Sequence, residues 1–178
     1  MPSAGAGIDL RESLPADLAT LERLYPAAFP AEDLLPLVKG LLAGRGDVLS
    51  LVAVHDQALV GHVAFTLCHL AGRREKIALL APLAIAPAWQ KRGIGSVLVR
   101  AGLRRLKDTD VAMVLVLGDP AYYGRFGFRP GHGILPPYRL PAEWHTAWQA
   151  LDLRERGADL QGELVVPEPW QRPALWAP

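Results

Sequence analysis

A short stretch beginning at Gln90, with the letters QKRGIGS, places an amide and a basic pair before two closely spaced glycines and a helical pattern. The start of a helix leaves backbone N–H groups without partners, and the helix dipole adds partial positive charge there. Glycine lets the backbone approach an anion closely because no Cβ intervenes. Lys91 and Arg92 add positive charge. The stretch therefore predicts a site for a phosphate or pyrophosphate group.

The surrounding residues indicate which phosphate ligand this is. The glycines do not complete a dinucleotide fingerprint, because Leu98 stands where a third glycine is needed, and the Gly-Lys-Ser/Thr triplet of nucleotide-binding loops is absent. The preceding apolar run contains Pro82 and ends at Pro87, which predicts a bulged strand with open backbone groups. A ligand that carries amides can pair with such a strand. Pyrophosphate together with an amide-bearing arm describes coenzyme A.

The order of a strand, the segment APAWQKRGIGSVLV, an apolar run and the segment YYGRFGF resembles the GNAT family of N-acetyltransferases. The acetyl-CoA motif of that family is matched by Gln90, Gly93 and Gly95, and the resemblance covers roughly residues 8 to 153. The segment GDPAYYGRFGF resembles a bacterial subgroup of predicted small-substrate acetyltransferases. The resemblance implies acetyl transfer from acetyl-CoA, as cosubstrate, to a primary amine by direct attack in a ternary complex, without a metal.

The resemblance also implies roles for individual residues. Tyr123 would be the general acid that protonates the leaving thiolate, with Tyr122 as the alternative donor. An open backbone N–H of the bulged strand would lie near the thioester oxygen. The residues expected to bind the cosubstrate are Leu83, Ala84, Ile85, Gln90, Lys91, Arg92, Gly93, Ile94, Gly95 and Ser96.

No pattern identifies the general base that would take a proton from the amine. Some relatives carry a Glu on the strand before the glycine turn, but the aligned position, near Leu79, is apolar here. His62 and His69 lie on one β-run with a spacing that puts them on opposite faces. Water and an amine that arrives neutral remain alternatives to a side chain. The candidate side chains are Glu32, His62, His69 and Glu75.

Other residues in these segments have simpler interpretations. Phe126 and Phe128 are predicted to be core residues. Asp119 either positions a ligand or begins an Asp-Pro turn. Cys68 is the only cysteine, so no internal disulfide can form, and its apolar surroundings predict a buried thiol without a catalytic role.

The pattern of apolar residues predicts the elements that position these groups. Helical spacing predicts helices over 14–29, 31–44 and 93–110, the second of them kinked near Pro36. A short strand followed by a turn is predicted over 7–14, and strands are predicted at 47–56, 58–70, 77–87, 111–119 and 147–153. Together with the resemblance this implies an α+β (mixed α/β) class, the GNAT-like acyl-CoA N-acyltransferase fold. We expect a central mixed sheet of six to seven strands, helices on both faces, and a splayed, bulged fourth strand.

Length and composition bound the remaining possibilities. A chain of 178 residues with 51% hydrophobic residues suits a single domain, which we expect to span residues 1–178 with a core over 8–153 and an extension over 154–178. The net charge of +1 argues for neither nucleic acid nor an acidic surface as a partner, and we expect no nucleic acid. The short, proline-interrupted apolar runs argue against a membrane span. We expect a cytoplasmic monomer or homodimer.

Two other functions fit the same residues. One is a non-catalytic acyl-CoA sensor or partner module. The missing Glu supports this function, and the presence of Tyr123 argues against it. The other is an acyltransferase that uses a different acyl-CoA. The acceptor amine is open between a small molecule and a protein. The Pro- and Trp-rich C-terminal segment covers the acceptor cleft, packs as a tail or makes a dimer contact.

Overall fold

The computed structural model of the protein describes residues 7–44, 47–155 and 159–177. The chain divides into two compact units, one formed by Met1–Phe65 with Pro82–Arg105 and the other by Thr66–Ala81 with Leu106–Pro178. Among the described residues, no helix has the length and apolarity needed to cross a membrane.

The described part of the first unit combines strands with three α-helices. Strand β1 runs antiparallel to β2, with Asp9 opposite Val54, and β2 is followed in the sheet by β3 and then β4. Strands β3 and β4 each continue into the second unit. The elements are β1 (Asp9–Glu12), α1 (Leu18–Ala28), α2 (Leu35–Ala43), β2 (Val48–His55), β3 (Ala58–Leu70), β4 (Lys76–Ile85) and α3 (Ile94–Lys107).

Local sequence explains where these elements begin and end. The β2–β3 hairpin turns at Asp56 and Gln57, whose φ angles of 46° and 66° match a two-residue turn that needs positive φ at both positions. The predicted hairpin is thus confirmed. Helix α2 begins at Leu35, with Pro36 in its first turn, and not as a longer helix kinked at Pro36. Proline is tolerated there because a first-turn N–H has no helical partner.

The remaining strand pairs lie in the second unit. Strand β5 runs parallel to β4 from Val111 opposite Lys76 to Leu115 opposite Leu79, and antiparallel to β7. Strand β8 pairs antiparallel with β3 and parallel with β6. The elements are β5 (Val111–Leu117), α4 (Pro120–Tyr123), β6 (Gly133–Leu135), β7 (Trp148–Asp152) and β8 (Gln161–Val165).

The mixed sheet that the sequence predicts is confirmed, with two differences. Within the described ranges the sheet has eight strands, and the additional ones are the short β6 and β8. The irregularity in β4 lies between Lys76 and Ile77, whereas Pro82 sits within the strand and is buried. The described β4–β5 register ends at Leu79, before the segment that carries Pro82.

The C-terminal segment packs into the second unit. Trp170 and Trp176 are only 5% and 1% exposed. The Trp170 indole N–H donates to Thr66 Oγ1 at 3.1 Å, and the Trp176 indole N–H donates to the Trp170 carbonyl at 3.1 Å. Of the three interpretations of this segment, the packed tail is the one these contacts support.

Candidate functional site

The glycine turn opens α3 as the sequence predicts. Val97 N–H donates to the Gly93 carbonyl at 3.1 Å, which is the first helical bond of α3. The amides of Ile94, Gly95 and Ser96 precede that bond and have no hydrogen-bond partner among the described residues. Neighbouring donors at the positive end of a helix are thus left open to an anion.

The backbone of this turn is held in an uncommon conformation. Gly93 has a φ of 81°, and Lys91, which carries a side chain, has a φ of 61°. A non-glycine residue in this region costs of order 1 kcal/mol and persists only where its surroundings impose it. Gln90 Nε2 donates to the Ile85 carbonyl at 3.1 Å, which ties the turn to the end of β4. Gln90 therefore shapes the turn through this bond.

Aromatic packing orients the positive charge beside the turn. The Arg92 guanidinium lies over the Trp89 ring, 4.9 Å from its centroid, and the His55 ring is 4.6 Å from the same indole. A cation held on an aromatic face keeps its N–H groups available to another partner. Sequence reasoning missed Trp89 in this role. The feature of the sequence that could have indicated this contact is the three-residue spacing between Trp89 and Arg92.

The three β4 residues that are predicted to bind the cosubstrate differ in the groups that a ligand can reach. Ala84 is 1% exposed and packs among core residues that include Leu24 and Tyr25. Leu83 and Ile85 are half-buried, as the alternation of a strand requires. Ala84 can therefore serve a ligand only through its backbone groups.

Helix α4 carries the predicted general acid. Asp119 caps the helix: its side chain accepts from Ala121 N–H at 2.9 Å, and its carbonyl accepts from Tyr123 N–H at 2.9 Å. These bonds support the interpretation of Asp119 as a turn residue. A Cβ built on Gly118 would lie 2.4 Å from the Tyr123 ring, so the ring takes this position only because residue 118 is glycine. Sequence reasoning did not identify this role of Gly118.

The surroundings of Tyr123 keep its phenol protonated. Its ring packs edge-on against Tyr122, with centroids 4.9 Å apart, and against Phe128 at 5.8 Å. Burial, with a smaller contribution from Tyr122, raises the pKa of the Tyr123 phenol above its usual value. Among the described residues, none accepts a hydrogen bond from the Tyr123 hydroxyl. The group is thus a protonated donor without a fixed acceptor.

The aromatic residues near Tyr123 lie in different surroundings. The Arg125 guanidinium lies 4.5 Å from the centroid of the Tyr122 ring. Phe126 and Phe128 are 9% and 1% exposed, so their assignment to the core is confirmed.

His62 is a structural residue. It is 1% exposed, its Nδ1 lies 2.5 Å from the Tyr25 hydroxyl and its Nε2 lies 2.8 Å from Ser50 Oγ. Burial lowers the pKa of His62 to about 4, against the opposing influence of Asp17. Both ring nitrogens are occupied, so His62 is a satisfied core residue and not an available base.

The other candidate bases lie at the surface. His69 and Glu32 are exposed, and the exposed Glu75 pairs with Arg73 at 3.5 Å. Leu79, where some relatives carry Glu, is 1% exposed and apolar. None of the four side chains proposed from the sequence has a setting that marks it as the base.

The burial of His62 predicts a specific dependence of stability on pH. Its folded-state pKa of about 4 lies below the ordinary value of 6.5, so the neutral form contributes fully above pH 6.5 and the contribution is lost as the pH falls toward 4. Between pH 7.5 and 5 the free energy of unfolding should fall by about 2 kcal/mol because of this residue. Urea denaturation of wild type and His62→Gln at both pH values measures it. Equal pH slopes for the two proteins would contradict the assignment.

Comparison with known proteins places this geometry in a family. Residues 17–128 match the profile of the acetyltransferase (GNAT) family. The chain is 31% identical over 167 residues to the uncharacterised N-acetyltransferase YjhQ of Escherichia coli. The matched region covers 90% of this chain and 92% of that protein.

Solved structures agree with the sequence matches. The GNAT family N-acetyltransferase YhbS of Escherichia coli, in complex with CoA, has a TM-score of 0.83 and 29% identity, covering 93% of this chain and 92% of that one. A GNAT family acetyltransferase of Brucella melitensis, in complex with acetyl-CoA, has a TM-score of 0.73 and 30% identity, covering 92% and 98%. The expected acyl-CoA N-acyltransferase fold is thereby confirmed.

Proposed function

The chain belongs to the acetyltransferase (GNAT) family, and on that premise we propose that it transfers the acetyl group of acetyl-CoA to a primary amine by direct attack in a ternary complex. The observation that carries the proposal is the open N-terminus of α3, where the amides of Ile94, Gly95 and Ser96 lack partners among the described residues. Two similar proteins were solved with CoA and with acetyl-CoA, which supports acetyl-CoA as the cosubstrate here.

Binding of the cosubstrate uses the turn and the strand before it. The α3 amides donate to the pyrophosphate, and Lys91 and Arg92 add charge-assisted contacts. Gln90 holds the turn against the Ile85 carbonyl. Backbone groups from Leu83 to Ile85 pair with the amides of the pantetheine arm, as an added strand would. One N–H of this segment stabilises the oxyanion that forms at the thioester carbonyl.

The chemical step needs a neutral amine and a protonated leaving group. An alkylammonium has a pKa of about 10, so the amine must lose its proton before it attacks the thioester carbon. No side chain is assigned to that deprotonation, and water or an amine that arrives neutral accounts for it. The new C–N bond forms, the C–S bond breaks, and Tyr123 gives its proton to the CoA sulfur. The acylated nitrogen releases its excess proton to solvent, and solvent returns a proton to the Tyr123 phenolate.

A covalent intermediate on Cys68 is not part of this mechanism. The thiol is 5% exposed, and burial raises its pKa to about 12, so it is not a thiolate at neutral pH. We expect Cys68→Ala to keep the turnover number largely unchanged and to lower the melting temperature slightly, because only packing is lost. Steady-state kinetics of the two proteins checks this, and a near-total loss of turnover would reverse the assignment.

The rival acyl-CoA sensor rests on Leu79, the apolar residue where some relatives carry a Glu. Isothermal titration with acetyl-CoA and a thiol-release assay over a panel of amines separate the two functions. The proposed enzyme binds acetyl-CoA and releases CoA thiol only when an acceptor amine is present. Tight binding without amine-dependent thiol release from any member of the panel would favour the sensor. A longer acyl-CoA that outperforms acetyl-CoA would identify a different donor.

A further inference from the structure

The backbone before α3 brings the side chains of Trp89 and Arg92 together. Gln90 has a φ of −67° and a ψ of 156°, and Lys91 has a φ of 61°. These angles resemble those of a type II turn, in which the third residue has positive φ and the first and fourth residues lie close to each other. Trp89 is the first residue of this turn and Arg92 is the fourth. The turn thus explains why the Arg92 guanidinium lies over the Trp89 ring, 4.9 Å from its centroid.

A second ring holds the Trp89 indole. His55, the last residue of β2, has its ring centroid 4.6 Å from that of Trp89, with the two planes at 46°. The His55 ring is itself closely packed, because a Cβ added at Gly7 would lie 3.3 Å from two of its atoms. We call His55, Trp89 and Arg92 the Trp89 stack. All three residues belong to the first unit, and the indole is in place between the end of β2 and the turn before a ligand binds.

The Arg92 guanidinium keeps its hydrogen-bond donors free. Arg92 is exposed, and within the described ranges its side chain forms neither an ion pair nor a hydrogen bond. A guanidinium on an aromatic face leaves its N–H groups to another partner, and its fork of donors matches the oxygens of a phosphate. Ordering a long side chain at a binding site lowers affinity, and a residue that orders it beforehand removes that cost.

The free guanidinium belongs to the same turn as the open amides. Arg92 directly precedes Gly93, whose carbonyl accepts the first helical bond of α3. The amides that follow Gly93 are the donors assigned above to the pyrophosphate of CoA. CoA also carries a phosphate on its 3′ ribose oxygen. Two kinds of phosphate group in the cosubstrate can therefore meet the Arg92 fork.

We propose that Trp89 is a positioning residue for the cosubstrate, which holds the Arg92 guanidinium ready for a phosphate group of CoA and does not contact that phosphate itself. The proposal rests on the proposed function, which assigns CoA to this turn. The contact is made at the phosphates and not at the thioester, so it strengthens binding in the ground state and the transition state alike.

Calorimetric titration with CoA tests whether Trp89 acts through Arg92. The proteins are wild type, Trp89→Leu, Arg92→Gln and the double variant. Arg92→Gln should weaken binding about tenfold, because a charge-assisted contact is lost, and Trp89→Leu should weaken it about fivefold, because the support of that contact is lost. The double variant should bind only about tenfold more weakly than wild type, since the two residues act as one unit.

Two results of this cycle would overturn the proposal. The first is binding by Trp89→Leu that equals binding by wild type. The second is a loss of about fiftyfold in the double variant, the product of the two single effects, because the indole would then contact CoA independently of Arg92.

Two matched variants control for packing and for net charge. Trp89→Phe keeps an aromatic face and should bind CoA within about twofold of wild type, whereas binding as weak as that of Trp89→Leu would overturn the proposal. Arg104→Gln removes an exposed arginine of α3 that has no ion pair or hydrogen bond among the described residues. Arg104 lies ten residues beyond Ile94, about 15 Å along the helix. Arg104→Gln should bind CoA like wild type, and a loss equal to that of Arg92→Gln would show a general effect of charge.

Titration with 3′-dephospho-CoA identifies the phosphate that Arg92 meets. If the partner is the 3′-phosphate, wild type and Trp89→Leu should bind this probe equally. If the partner is the pyrophosphate, the fivefold difference should remain. Either result is in keeping with the proposal, provided that the coupling between Trp89 and Arg92 is found with CoA.

Kinetics separate this proposal from the proposed function. Trp89→Leu should raise the Michaelis constant for acetyl-CoA about fivefold, with a much smaller change in the turnover number. Acetyl transfer with an unchanged Michaelis constant in Trp89→Leu overturns the positioning role while the proposed function stands. CoA binding with the expected coupling, but without acetyl transfer to any amine, overturns the proposed function and supports the positioning role.

Discussion

Tyr123→Phe is expected to lower the turnover number about 100-fold while the dissociation constant for acetyl-CoA barely changes. The substitution keeps the ring that packs on Gly118 and Phe128 and removes only the hydroxyl. A proton given to the leaving thiolate matters in the transition state and little in the ground state. Steady-state kinetics and calorimetric titration with acetyl-CoA measure the two quantities separately.

Three controls make that result interpretable. The melting temperature should stay nearly constant, because no described residue is hydrogen-bonded to the Tyr123 hydroxyl. Tyr122→Phe should do much less. Gly118→Ala should lower turnover in the same direction, since its Cβ would displace the Tyr123 ring. If Tyr123→Phe keeps full turnover while Tyr122→Phe loses it, Tyr122 is the acid; if neither loses activity, the proton comes from another group or from solvent.

Gly93→Val and Gly95→Val are each expected to raise the Michaelis constant for acetyl-CoA about ten- to hundredfold. A branched side chain in the turn blocks the approach of pyrophosphate to the α3 amides, and each charge-assisted hydrogen bond lost costs roughly 1.5–3 kcal/mol. Because KM can include more than binding, calorimetric titration of the variants with CoA accompanies the kinetics.

Backbone strain must be separated from loss of phosphate contacts. Gly93 has a φ of 81°, so valine there is strained whatever the ligand. Gly72 is the matched control, because its φ is 72° and a Cβ at that position would meet nothing within 4 Å. Gly72→Val should lose stability like Gly93→Val but keep the wild-type KM. A folded Gly93→Val or Gly95→Val variant that binds CoA normally would show that the turn does not hold the phosphate.

Much of the fold follows from patterns that act over a few residues. The β2–β3 hairpin, the long apolar β4 and β5 and the start of α3 at the glycine turn were all predictable, because alternation, apolar runs and turn residues are local signals. Strands β6 and β8 were not, since each contains only two consecutive apolar residues and a glycine, Gly133 or Gly162, which is unfavourable in strands. Their pairing with each other depends on contacts made only in the folded chain.

The candidate site likewise contains residues that the sequence predicts and contacts that it does not. The motif residues from Gln90 to Ser96 and Tyr123 were visible because their types and spacing carry the chemistry. The support of Tyr123 by Gly118 and the packing of Arg92 on Trp89 depend on side-chain directions that spacing alone does not give. That residues 1–178 act as one domain stays a prediction, as do the roles of the site residues.

The most direct test of the account follows a labelled acetyl group. Purified protein is incubated with ¹³C-acetyl-CoA and a panel of amines, and the products and the intact protein are examined by mass spectrometry. We expect a labelled N-acetyl amine, free CoA in equal amount, no labelled protein and much slower product formation by Tyr123→Phe. Label found on the protein itself, or acetyl-CoA that is bound but yields no N-acetyl product from any amine, would contradict it.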